Sequence, residues 1–133
     1  MNHIIPLIAR ILIAQIFVIS GLNKVGAGYA ATSAYMQAMG TPAVLLPLVI
    51  ALEIGGGLTL ILGFQTRWTA LALAVFSIVA ALIFHHNFGD RMQSIMFMKN
   101  LAMAGGLLLL YGHGAGACSV DARRSSAPSG WSR

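Results

Sequence analysis

The stretch VIALEIGGGLTLIL, residues 49–62, places one carboxylate, Glu53, among thirteen uncharged residues. It is the greater part of an apolar run over residues 43–62, and a helix needs about 20 such residues to cross roughly 30 Å of hydrocarbon. Whether Glu53 lies in a soluble core or in a bilayer depends on the rest of the chain. Of 133 residues, 58% are hydrophobic and 8% charged, where an ordinary soluble domain carries about a quarter charged residues. There is too little polar surface to cover a globule in water, so the run reads as a membrane span.

Working outward, three further runs have the same character, at 4–22, 68–84 and 95–111. They are punctuated by the small-residue segment VGAGYAATSA after Lys24, by Thr66-Arg67, by HHNFGDR and by GHGAGACS. Backbone amides in lipid must be satisfied within their own segment, and the period-two alternation of a barrel strand is absent, so the runs are expected to be helices. Pro47 falls in the first turns of its run, where a missing amide hydrogen costs little. The predicted architecture is an all-α integral membrane four-helix bundle over residues 1–122, with VGAGYAATSA as a loop and a polar tail at 123–133.

The first run is read as a retained helix: a secretory signal carries its charge ahead of the apolar core, whereas Arg10 lies inside this one. Four crossings put both termini on one side. Weighing Arg67, Arg123, Arg124 and Arg133 against Lys24, Arg91 and Lys99 predicts cytoplasmic termini by the positive-inside rule. The net charge of +5 is scattered over helix ends and single interior positions. It lacks the clustering that a nucleic-acid backbone requires, so no nucleic-acid partner is expected. Lipid headgroups, above all beside Arg123-Arg124, are the expected contacts.

Small residues four apart let helices approach closely in lipid. On that basis the predicted packing stripes are Ala51, Gly55, Thr59 and Gly63 in the second run, Ala70 with Ala74 and Ser77 with Ala81 in the third, and Ala102 with Gly106 in the fourth. Glu53 points away from the stripe of its own helix, about 15 Å from the start of the run. An unpaired charge at that depth costs several kcal/mol, so Glu53 must be paired, neutral or facing a wet cavity. Arg10, Phe17, Gly21 and Lys24 share one face of the first helix, and an Arg10–Glu53 pair is expected. Lys24, Lys99 and Asn100 lie toward the opposite membrane face, at the mouth of the same interior. The competing reading is an ion pair that only locks the bundle, with lysines snorkelling to headgroups.

Redox chemistry within the chain is constrained. Cys118 is the single cysteine, so neither an internal disulfide nor a dithiol relay is available. His3 and His113 belong to one membrane face, His85 and His86 to the other; facing haem ligands at matching depth are not expected. His85 and His86 point about 100° apart as sequence neighbours and chelate badly, so they stand as secondary candidates, and no metal is expected even with Asp90 nearby. No intrinsic cofactor is predicted.

The blocks ARILIAQIFVISGLNK, AYMQAMGTP, LEIGGGLTLILGFQTR, FHHNF and MFMKNLAMAGGLLLL, in this order over residues 5–124, resemble the DoxX family of small bacterial membrane proteins. The resemblance assigns Arg10, Gly21 and Lys24 to the family's first-helix pattern and Glu53, Gly56 and Gly57 to its second. Thr66 and Arg67 match its short turn, His85, Asn87 and Phe88 its third connection, and Lys99 and Asn100 the entry to its fourth helix. It implies a bacterial inner (plasma) membrane location. It also implies links to quinone-coupled sulfur oxidation and to oxidoreductase assemblies that manage thiol or oxidative stress, while relatives of similar fold serve as accessory factors.

Two function classes follow. In one, a quinone or other lipophilic ligand binds among Arg10, Lys24, Glu53, Lys99 and Asn100 in support of a soluble or membrane oxidoreductase partner, with Glu53 handling protons and Arg10 or Lys99 holding a polar head. In the other, the chain is a non-enzymatic subunit that localises or stabilises a partner. A small-solute transporter is the weaker third, because four helices without an inverted repeat offer little to rock unless a homo-oligomer forms. Catalytic residues are not assigned.

Overall fold

The structure, a computed structural model, describes residues 4–125, the last two by backbone only. The helices are α1 (Ile4–Asn23), α2 (Ala27–Ala38), α3 (Leu46–Leu62, entered through a 3-10 turn at Ala43–Leu45), α4 (Thr66–Phe84), α5 (Arg91–His113) and α6 (Val120–Ser125). Four are long and apolar enough to span a bilayer: α1, the stretch Ala43–Leu62, α4 and α5. The all-α membrane architecture read from the sequence is therefore the observed one. The predicted polar tail lies, from Ser126 onward, outside the described residues.

The bundle consists of two closely packed pairs, α1 with α3 and α4 with α5, which meet chiefly along α3 and α4. The α1–α3 pair is antiparallel: Arg10 meets Leu60, Ala14 and Val18 meet Gly57, and Gly21 meets Glu53 and Ile54. Ala14, Phe17, Leu60, Ala70, Leu73, Ala74, Ala104, Leu107 and Leu110 form the continuous core. The outer faces are apolar too: Leu12, Leu48, Leu82 and Leu109 are all well exposed, which suits lipid and would be an aggregation liability in water. Aromatic pairs mark both ends, Trp68–Tyr111 at one, Tyr35–Phe84 and Phe88–Phe97 at the other, as expected of residues at membrane–water interfaces.

Helix ends run past the predicted ones where a cap is supplied. Asp90 accepts from the amide of Met92 at 3.0 Å, so α5 starts at Arg91 and not at 95. The Asp121 carboxylate accepts from the amides of Gln65 and Thr66, both at 2.8 Å, and starts α4 at Thr66 and not at 68. The segment expected to be a loop is α2. Five of its twelve residues are alanine, the best helix former, but about 18 Å of helix is too short to span a bilayer; it packs across the end of the bundle and buries Met36.

Of the predicted stripe on α3, Gly63 is buried against Arg10 and Ser119 and Thr59 reaches Thr69 of α4, but the other half does not pack. Gly55 has no neighbour within 4 Å of a would-be Cβ, and Ala51 is exposed. Contact passes instead through the adjacent glycines, which point about 100° apart: Gly56 against Leu73 of α4, and Gly57 against Val18 and the Ala14 carbonyl of α1. The stripes on α4 are buried as expected, while on α5 Gly106 meets Ile13 and Ala102 faces outward. A Cβ at Gly57 would come 2.5 Å from Val18 Cγ2. Gly57→Val is therefore expected to lower stability by about 1–3 kcal/mol through overpacking. Gly55→Ala is expected to be neutral or to add up to about 1 kcal/mol through helix propensity. Thermal denaturation in detergent compares the two; equal losses would contradict this packing.

Candidate functional site

The α1–α3 register decides which charges meet. Arg10, near the start of α1, lies opposite the end of α3, seven residues or about 10 Å beyond Glu53. Its Nη1 donates to the carbonyls of Leu60 and Ile61, each at 2.9 Å, and its Nη2 donates to the Cys118 carbonyl. The last carbonyls of a helix lack intrahelical donors, and a forked guanidinium satisfies several at once. Arg10 is 0% exposed. The expected Arg10–Glu53 pair is thus corrected: Arg10 ties the C-terminal segment to the end of α3, where Gly63 turns the chain at φ +74° and its carbonyl accepts from the Asp121 amide at 2.9 Å.

Glu53 pairs with Lys24. The Lys24 ammonium donates to Glu53 Oε1 at 2.8 Å and to Ser20 Oγ at 2.6 Å, and the Ser20 hydroxyl donates to Glu53 Oε2 at 3.0 Å. Lys24 reaches this depth because it follows the last residue of α1, and its stem folds back over the preceding turn. Glu53 is 5% exposed, and the Lys24 side chain 21%. Ser20 was missed in the sequence, although its i, i+4 relation to Lys24 puts both on the same face.

This cluster forms one side of a partly open cavity of about 290 Å³ lined by residues of α1, α2, α3, α4 and α5. Phe17, Leu46, Phe76 and Met103 supply apolar walls, while Lys99, Asn100 and His85 add polar groups. Asn100 donates to the Met96 carbonyl at 3.0 Å, and His85 Nδ1 lies 3.1 Å from Gln93 Oε1. Thr32, Tyr35 and Met36 of α2 complete the lining; sequence reading missed them because a scan for spans of about 20 residues passes over a shorter helix. Lys24, Glu53, Lys99, Asn100 and His85 are therefore brought together, and Arg10 and His86 are not among the lining residues. Among the described residues no three His, Cys, Asp or Glu side chains group as metal ligands, and His3 lies outside the described residues.

Four spanning helices around a cavity with a buried acid–amine pair define a small multi-pass membrane protein with an internal polar site. A family profile described as DoxX matches residues 5–86. Over 115 residues the chain is 52% identical to the Inner membrane protein YqjF of Escherichia coli (strain K12), covering 86% of this chain and 88% of that one. It is also 37% identical over 127 residues to the Inner membrane protein YphA of the same organism, covering 90% of each. The chain belongs to the DoxX family and is a multi-pass inner-membrane protein in contact with the lipid bilayer. No solved structure matches it.

Proposed function

We propose that the cavity binds a quinone or another lipophilic ligand with a polar head, in support of a membrane oxidoreductase or stress-response system. The observation that carries this reading is the hydrogen-bonded Lys24–Glu53–Ser20 cluster at the wall of a largely apolar cavity. An apolar slot with a few convergent polar groups is the usual form of a small-molecule site, and about 290 Å³ is near the lower end of the range. That volume suits a ring or head group, with the rest of the ligand continuing into lipid. A quinone would contribute the two-electron carrier. The chain's part is to hold the head by the Lys99 ammonium and the Asn100 amide, which line the cavity, and to hold or release a proton at the Glu53 carboxylate. With one cysteine in the chain, any dithiol chemistry belongs to a partner protein, soluble or membrane-bound.

A photoreactive azidoquinone added to native membranes tests this. Labelled peptides from α1 and α5 around Phe17 and Met103, with labelling displaced by excess unmodified quinone, are the expected result. Undisplaced labelling spread over the lipid-facing leucines would count against it. The accessory reading draws on a different observation: each Glu53 carboxylate oxygen already has a donor within the bundle, as a purely structural ion pair requires.

A further inference from the structure

The charges that line the cavity do not cancel. Lys24 and Glu53 neutralise each other across 2.8 Å, whereas Lys99, the other charged lining residue besides the titratable His85, makes no hydrogen bond or ion pair with any described residue. Lys99 stands eight residues into α5, about 12 Å along its axis from Arg91. Asn100, beside it, has one amide hydrogen on the Met96 carbonyl and keeps a second donor and its carbonyl oxygen. The apolar part of the lining is deformable: Phe17, Phe76, Met36 and, one turn along α5 from Lys99, Met103; methionine adapts to irregular apolar shapes.

We infer that the cavity selects an amphiphile whose head group carries one negative charge, seated against Lys99 and Asn100, with its apolar body between Phe17, Phe76 and Met103. This rests on the reading of the cavity as a lipophilic-ligand site and narrows the ligand to an acidic class: an ionised enol, phenol or carboxylate on an apolar ring or chain. Lys99 is exposed at the cavity lining, and within the span its ammonium has no counter-charge among the described residues; a singly charged anion both neutralises it and accepts its hydrogens. A second negative charge would face Glu53, whose carboxylate is already matched by Lys24. Small hydrated anions are disfavoured, because the phenylalanine and methionine walls return nothing for their lost water.

The test uses the full chain in lipid nanodiscs, with empty nanodiscs as the partition control, titrated with two probes of similar apolar bulk. One is a neutral decyl benzoquinone; the other is an alkyl hydroxynaphthoquinone, whose enol is ionised at neutral pH. The acidic probe is expected to bind at least about tenfold more tightly than the neutral one, the strength of a single charge-assisted hydrogen bond. In Lys99→Gln the two affinities should converge to within about threefold, while Lys99→Arg keeps the preference. Equal affinities in the wild type, or a preference unchanged in a folded Lys99→Gln protein, would overturn the inference and leave the lipophilic-ligand reading standing. Saturable binding of neither probe would overturn both.

Discussion

Arg10→Ala is expected to destabilise the protein more than any other single substitution considered above. The arginine is fully buried, and its removal takes a donor from the Leu60, Ile61 and Cys118 carbonyls together, of which Leu60 keeps the Gly63 amide at 3.1 Å. Each buried polar group left without a partner costs about 1–3 kcal/mol, and the vacated volume adds to that. A loss of about 3–5 kcal/mol is expected, with a melting midpoint lower by at least about 10 °C. Arg10→Lys should recover less than half of it, because an ammonium lacks the planar fork that reaches three acceptors at once. The residue holds the C-terminal segment against α3, and so indirectly places Asp121 at the start of α4. Circular dichroism melts in detergent measure the effect; an Arg10→Ala protein as stable as wild type would refute the structural role.

The second large effect concerns Lys24 and Glu53. Lys24→Met leaves the buried Glu53 carboxylate with only the Ser20 hydroxyl, and breaking such a pair from one side costs about 3–5 kcal/mol. Glu53→Gln strands the ammonium, but the lysine, at 21% exposure, can withdraw toward water, so a smaller loss of about 1–2 kcal/mol is expected. In the double variant no charge remains to be compensated. Its stability should return to within about 1 kcal/mol of wild type, a coupling well above the additive sum. Additive losses would show that the two residues do not act as a pair.

Faces of helices were legible in this sequence; axial offsets were not. The spacing of Arg10, Phe17, Gly21 and Lys24 correctly groups these residues on one side of α1, and all but Lys24 are buried. Periodicity carries no information on how far α1 slides along α3. That offset is set by the close approach of Gly21 to Ile54 and of Gly57 to Val18, and it moves Arg10 from Glu53 to the end of the helix. The triplet Gly55-Gly56-Gly57 shows a related limit: spacing by four favours Gly55, but the two neighbours flanking α1 and α4 make the contacts. Lys99 and Asn100 were legible at the cavity mouth because their place in the fourth run sets them near the same membrane face as Lys24, whereas α2 escapes a search for spans because it never spans.

The central claim is that the Lys24–Glu53 pair serves a ligand and is more than a bundle lock. The most direct test is native mass spectrometry of the protein extracted gently from its own membrane, comparing wild type with the Lys24→Met/Glu53→Gln double variant that keeps the fold. A lipophilic small molecule retained by the wild type and absent from an equally stable double variant is the predicted result. The same molecule retained by both, or a bundle empty in both and carrying only a partner protein, would contradict the claim and leave the pair with a structural role.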